Sequence, residues 1–402
     1  MIKIAVLGYG TVGSGVVEVI RTNQEVINKR VGEELDIKYI LDLREFPGTP
    51  VEHLIVHDFE QIVNDDEVKI VVEVMGGIEP AYTFVKKSLL AGKSAVTSNK
   101  ALVAKHGAEL LAIAKEKNIN FLYEASVGGG IPIIRPLATS LTGDVIDEIT
   151  GILNGTTNYM MSKMYNEGAD YDAVLKEAQA MGYAERDPSA DVEGHDACRK
   201  IAILSSIISG KTVTFEDIYT EGITKITQED IQYAKELGMK IKLLASCSRD
   251  GDKLCAIVAP HMVSKEHPLY NIEGVFNAIF VKGNMLGDSM FYGSGAGKLP
   301  TASAVVGDIV EAAKNPAQSM MATWDAEVAE LEEKSDTKKK FFVRIKGTEA
   351  ECQEKLCKAF GPIQTVTLAD GEFAFVTGVM SEGAYEAAAE KFPQICQMIR
   401  VK

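Results

Sequence analysis

Residues 182–200 read Gly-Tyr-Ala-Glu-Arg-Asp-Pro-Ser-Ala-Asp-Val-Glu-Gly-His-Asp-Ala-Cys-Arg-Lys, a run of carboxylates that ends on a lysine. Asp196 and Lys200 are four apart, so on a helix they share one face. The next turn, Ile201-Ala202-Ile203-Leu204, is apolar, which implies that the helix is largely buried. On an exposed helix such a pair adds only about 0.2–0.5 kcal/mol. Buried, it is costly unless tight pairing or function supports it. Two readings follow: a structural ion pair, or a catalytic pair in which lysine transfers a proton and aspartate orients the lysine or the substrate. His195 lies beside the pair but points about 100° away from Asp196 on a helix. It is expected to be a surface or structural residue.

Thr97-Ser98-Asn99-Lys100 closes an apolar strand. Ligands gather at the carboxyl ends of parallel strands, which would aim Lys100 at a cofactor crevice; a surface lysine opening the next helix is the alternative. At the N-terminus, Gly8-Tyr9-Gly10-Thr11-Val12-Gly13 follows the apolar run 2–7 and opens a helical pattern. In that context the first glycine permits a tight turn, the second admits a pyrophosphate, and the third allows close helix–strand packing. The helix start adds unpaired N–H groups and a partial positive charge. Asp42, after the second strand, suits a ribose 2′-hydroxyl, whereas Arg44 suits a 2′-phosphate. NAD and NADP both remain open, with a lean toward NAD.

These groups need a scaffold, and 402 residues are ample for two or three domains. A net charge of −15 argues against nucleic acid, whose phosphates must be met by clustered cations. No secretory signal or span-length apolar run is visible. Six cysteines without CxxC spacing suggest reduced thiols in a cytoplasmic protein, not zinc or disulfides.

Strands are expected at 2–7, 37–41, 70–74, 94–97 and 121–124, alternating with helices at 11–29, 81–90 and 106–117. That order implies a Rossmann-type doubly wound parallel sheet. After Gly128-Gly129-Gly130 the texture changes. Strands at 146–153, 254–258 and 275–281, with helices at 172–181, 191–209 and 229–245, suggest an α+β domain. A helix at 301–314 is expected to return to the first domain. The charged stretch 332–340 reads as a solvated linker. Beyond it, 341–402 has the βαββαβ order of a ferredoxin-like module. The expected organisation is therefore a nucleotide-binding domain over 1–130, completed by a returning helix near 300–320. An α+β domain over 131–299 and a small domain over 341–402 follow.

The ordered stretches Gly8–Gly13, Glu73–Gly77, Thr97–Lys100, Glu124–Pro132, Gly151–Tyr159, Gly182–Lys200 and Tyr292–Asp308 together resemble homoserine dehydrogenase from residue 2 to about 315. The resemblance implies reduction of aspartate 4-semialdehyde to homoserine with NAD or NADP. It implies that Lys100 and Lys200 flank the reacting oxygen, with Lys200 as the acid/base, and that Asp196 bonds the alcohol or a water. It gives Glu185, Asp191, Tyr183, Thr156 and Gly155 the substrate's amino-acid portion. Gly8, Gly10, Thr11, Val12, Gly13, Asp42, Arg44, Gly76, Ser98, Asn99, Lys100 and Gly295 become cofactor contacts. Glu124, Val127, Gly129 and Ile131 match a monovalent-cation site, for Na+ or K+, built largely from backbone oxygens. It further implies a homodimer, sometimes a tetramer, and a C-terminal domain similar to an ACT module. In that tail the usual Asp-x-x-Pro-Gly-type loop is replaced by Gly347-Thr348-Glu349, so threonine feedback is not expected. The competing readings are another Rossmann reductase of an amino-acid-derived aldehyde or imine, and a non-catalytic nucleotide-binding regulator.

Overall fold

The computed structural model describes residues 1–251, 253–320 and 324–402. The chain forms two compact units. The first comprises Met1–Val145, Ala202–Phe215 and Phe291–Ala329; the second comprises Ile146–Ile201, Glu216–Met290 and Glu330–Lys402.

The first unit is built on a six-stranded parallel sheet in the order Ile55–Val56, Leu35–Leu41, Ile2–Leu7, Val68–Glu73, Ser94–Thr97, Phe121–Leu122. Its central strands are apolar without alternation because helices cover both faces, and Ile4 through Leu7 are wholly buried. The helical run expected over 11–29 divides at Asn23 into Thr11–Thr22 and Gln24–Val31. Strand Phe121–Leu122 is shorter than expected, and Glu124–Ser126 turns instead into a 3-10 helix. The helix Lys298–Lys314 packs on Thr11–Thr22 within this unit. The approach is close: a side chain on Gly15 would come within 2.9 Å of the Lys298 carbonyl oxygen.

The second unit carries most of a mixed sheet of eleven strands. Its main path runs Gly287–Ser294, Phe276–Gly283, Ile146–Ile152, Met239–Asp250, Lys253–Ser264, Ile395–Val401, Lys338–Lys346, Glu372–Thr377, Ile363–Ala369. The helix expected over 229–245 ends early, at Glu236. Gly238, at φ +67°, turns the chain, and 239–250 becomes a strand bonded on both edges. The helix expected over 191–209 is likewise split by Gly194 at φ +86° into Ser189–Val192 and His195–Ser209. A side chain on Gly194 would press on Thr220 and Val258 at 3.1 and 3.2 Å, so the break also lets this turn lie close against the sheet.

The tail shows the strand–helix–strand–strand–helix–strand order anticipated for it, with one extra bridge at Met380–Ser381. The supposed linker is partly strand, since Lys338–Lys346 begins three residues ahead of 341. The tail's last strand pairs in parallel with Lys253–Ser264 through His261 opposite Arg400 and Met262 opposite Val401. Buried ions reinforce that junction. Arg344 reaches Asp230 at 2.9 Å, and Arg400 joins Glu382 and, at 2.9 Å, Glu221. Among the described residues no helix is long and apolar enough to cross a membrane.

Candidate active site

The glycine turn closes the first strand of the parallel sheet. Gly8 sits at φ +97°, a conformation that L side chains rarely adopt, and its N–H bonds the Leu41 carbonyl at 2.8 Å. A Cβ on Gly13 would stand 2.0 Å from the Gly8 oxygen, so the turn closes only with glycine there. A Cβ on Gly10 would meet nothing within 4 Å, so that backbone faces open space. The helix starting at Thr11 has no side-chain cap, which leaves the first N–H groups, through Val12 and Gly13, for an anion. These observations fit a dinucleotide pyrophosphate.

Asp42 braces this turn. Its carboxylate accepts the Tyr9 N–H at 2.8 Å and is gripped by Arg44 through Nε and Nη2, each at 3.0 Å. The Arg44 guanidinium, together with the backbone N–H groups of Arg44 and Tyr9, holds the Asp42 carboxyl well below the usual carboxylate range. Arg44 also donates to the Tyr9 carbonyl at 3.2 Å and lies over the Phe46 ring. The two residues that the sequence set against each other are thus a pair.

Two further loops leave the same sheet. Gly76 and Gly77, both at positive φ, follow strand Val68–Glu73. Ser98 and Asn99 follow strand Ser94–Thr97, and Asn99 caps the helix that opens with Lys100 by accepting the Leu102 N–H at 3.1 Å. Lys100 is half-buried at that helix start. Gly295 belongs to a loop laid on Gly128–Ile131: Gly130 donates to the Ser294 carbonyl at 3.0 Å, and a side chain on Gly129 would strike the Gly295 oxygen.

Glu124 has a different task from the one its charge suggests. Its carboxylate accepts the N–H groups of Ile133, Ile134 and Arg135 at 2.5, 2.8 and 2.8 Å. Arg135 also bridges it to the buried Asp308, whose carboxyl burial pushes up to about 8. Among the described residues no three His, Cys, Asp or Glu side chains are grouped to hold a metal. What the segment carrying Val127, Gly129 and Ile131 offers an ion is main-chain oxygen.

The second unit holds an ionic chain of its own at the end of strand Ile146–Ile152. Lys200 Nζ donates to the Leu153 carbonyl and to Asp196 Oδ2, both at 2.8 Å. Asp196 and Lys200 are 5% and 9% exposed, so the i,i+4 spacing is realised as a buried pair. Asn154 links this pair to a second carboxylate, donating from Nδ2 to Asp196 Oδ2 at 3.0 Å and to Asp191 Oδ1 at 2.7 Å. Its Oδ1 simultaneously caps helix Gly155–Glu167 by accepting the Thr157 N–H at 2.9 Å. Sequence reasoning had not singled out Asn154. The available signal was an N-cap residue immediately before Gly155 at the end of an apolar strand.

Thr156 donates to the Tyr183 carbonyl at 2.6 Å, which ties the helix start to the loop that carries Glu185. The Glu185 side chain is exposed, while Gln179 holds its backbone carbonyl at 3.1 Å. The structure therefore brings Asp191, Asp196 and Lys200 together through Asn154, and Thr156 to Tyr183, without joining Glu185 to that chain. His195 is exposed and contacts Glu193 at 3.1 Å.

Comparison with known proteins agrees with this geometry. Residues 8–124 match the family model "Homoserine dehydrogenase, NAD binding domain", and residues 132–310 match "Homoserine dehydrogenase". A homoserine dehydrogenase of Synechocystis is 47% identical over 317 residues, 77% of this chain and 72% of that protein. The crystal structure of a homoserine dehydrogenase from Thiobacillus denitrificans is 35% identical with a TM-score of 0.89, covering 100% of this chain and 98% of that one. A hyperthermophilic archaeal homoserine dehydrogenase in complex with NADPH is 30% identical with a TM-score of 0.67, covering 77% of this chain and 97% of that one. With an NAD(P)-type dinucleotide turn in one unit and a buried lysine–carboxylate chain in the other, the chain belongs to the homoserine dehydrogenase family of NAD(P)-dependent oxidoreductases.

Proposed function

We propose that the chain interconverts L-aspartate 4-semialdehyde and L-homoserine, and that Lys200 moves the proton. The Asp191–Asn154–Asp196–Lys200 chain, buried from Asn154 to Lys200, carries this reading. When bound, the nicotinamide supplies the hydride for the aldehyde carbon. Lys200 has three N–H donors, of which two are committed to Leu153 and Asp196. The third is left to deliver a proton to the carbonyl oxygen and to accept it back in the reverse direction. Asp196 fixes the direction of Nζ, and Lys100 is the second lysine assigned to that oxygen by the family resemblance. Asp191 and Glu185 provide negative charge for the substrate's α-ammonium group, with Tyr183, Thr156 and Gly155 as its surroundings.

For the cofactor, Asp42 first serves the turn, and the exposed Arg44 is the group able to meet a 2′-phosphate. This supports NADP beside NAD. A monovalent cation fits as a ligand of the main-chain oxygens of Glu124, Val127, Gly129 and Ile131, since the Glu124 carboxylate is already committed. Family resemblance supports a homodimer, and six cysteines outside any disulfide suit a reducing cytoplasm. The test follows reduced-nicotinamide absorbance with homoserine and either NAD or NADP. Turnover with at least one is expected, and none with either would overturn the proposal.

A further inference from the structure

We infer that Glu73 is a positioning residue whose buried carboxylate ties two cofactor-side loops into one piece and so sets where Gly76, Asn99 and Lys100 stand. The inference rests on the proposed roles of those three residues. Glu73 ends strand Val68–Glu73 with no exposed surface, and its parallel neighbours in register are Leu7 and Thr97. The sheet itself asks for nothing ionic there, as Leu7 shows, and a buried carboxylate is costly without donors. Glu73 has them. One oxygen accepts the Met75 and Gly76 N–H groups at 2.8 and 3.3 Å, and the other accepts the Thr97 hydroxyl at 2.6 Å.

The bonds continue in a ring. Thr97 Oγ1 accepts the Asn99 N–H at 2.9 Å, and Asn99 Nδ2 donates back across to the Gly77 carbonyl. The Asn99 side-chain oxygen caps the helix that Lys100 opens. Gly76 and Gly77, at φ +81° and +75°, turn the chain beyond those N–H groups, where the Gly77 carbonyl meets Asn99 Nδ2. Two loops separated by more than twenty residues are thereby locked to each other through one carboxylate and one hydroxyl. Moving either shifts Lys100 with it.

The test compares wild type with Glu73→Gln, Thr97→Val, Thr97→Ser and Lys100→Ala. It measures kcat and KM for homoserine, cofactor affinity by nicotinamide fluorescence, and melting temperature. Glu73→Gln keeps shape but turns an amide against the Thr97 hydroxyl, and Thr97→Val removes that hydroxyl. Each is expected to lower kcat about 10- to 100-fold, as for an ångström-scale misplacement, with homoserine KM changed far less. Thr97→Ser, which restores the hydroxyl, is expected to recover most of the kcat lost in Thr97→Val, a rescue that a purely structural role would not require. Folded Glu73→Gln and Thr97→Val proteins with wild-type kcat, alongside an inactive Lys100→Ala, would overturn the inference alone. If Glu73→Gln does not fold, the Thr97 pair decides by the same criterion. Full turnover in Lys100→Ala would instead remove the reading on which the inference rests.

Discussion

A double-mutant cycle on Lys200 and Asp196 separates the stability of the buried pair from its chemistry. Lys200→Met leaves the Asp196 carboxylate buried without its cation, and Asp196→Leu leaves the ammonium in the reverse position. Breaking one side of a buried pair costs about 3–5 kcal/mol, so about 4 is taken for each single variant. In the double variant no charge remains, but the Leu153 carbonyl and one Asn154 N–H lose partners. At about 1 kcal/mol each, the double costs about 2. The expected coupling is then about 2 − 4 − 4, or roughly −6 kcal/mol. Urea unfolding at constant slope measures the three stabilities. Turnover should fall by about 10²–10⁴ in all three variants, because the proton-transfer group or its orienter is gone. Additive costs, or singles that lose less than about 1 kcal/mol, would refute the buried-pair argument. Stability and turnover that return together in the double variant would refute the catalytic one.

Other expectations follow from the same geometry. Gly13→Ala should destabilise the first unit, since its Cβ would meet the Gly8 oxygen, whereas Gly10→Ala should melt like wild type but raise KM for the nicotinamide cofactor. Asn154→Ala should weaken both substrate binding and stability, the cap alone contributing about 1 kcal/mol, read from homoserine KM and the urea midpoint. Lys242 is buried with its pKa lowered to about 8, so its ammonium opposes folding below that pH, and stability rises toward 10.5 as the folded state sheds the proton first. Relative to Lys242→Met, wild type should gain up to about 3 kcal/mol between those limits, and parallel urea midpoints across that range would refute it. Arg400→Met leaves the wholly buried Glu382 with only Lys334, at 3.4 Å, as its cation and should cost about 3 kcal/mol in calorimetry, while an unchanged melting temperature would argue against the junction.

Much of the first unit was readable because its signals are local. Strand Ile2–Leu7, helix Ala81–Leu90 and strand Ser94–Thr97 fall where apolar runs and helix periodicity place them. Met239–Asp250 was misread because Met-Lys-Ile-Lys-Leu-Leu-Ala satisfies helix and strand patterns alike. Only the partner strands on both its edges and the left-handed Gly238 decide between them. The segment 332–340 looked solvated because its charges are dense, yet Lys339 is part-buried in a strand that pairs with Met380.

By itself the sequence determined the dinucleotide turn, since what Gly8 and Gly13 must do depends on backbone geometry within six residues. It also determined the shared helix face of Asp196 and Lys200, a consequence of helical periodicity alone. The tertiary structure decided which carboxylates of the acidic segment join the lysine. Asp191 and Asp196 are drawn in by Asn154, about forty residues away in sequence, and Glu185 stays exposed. It likewise turned Asp42 and Arg44 from rivals into a pair, and it set the Glu124 carboxylate to accept three backbone N–H groups. A side chain's type states which bonds it is able to make, but which partner arrives is set by contacts between distant segments.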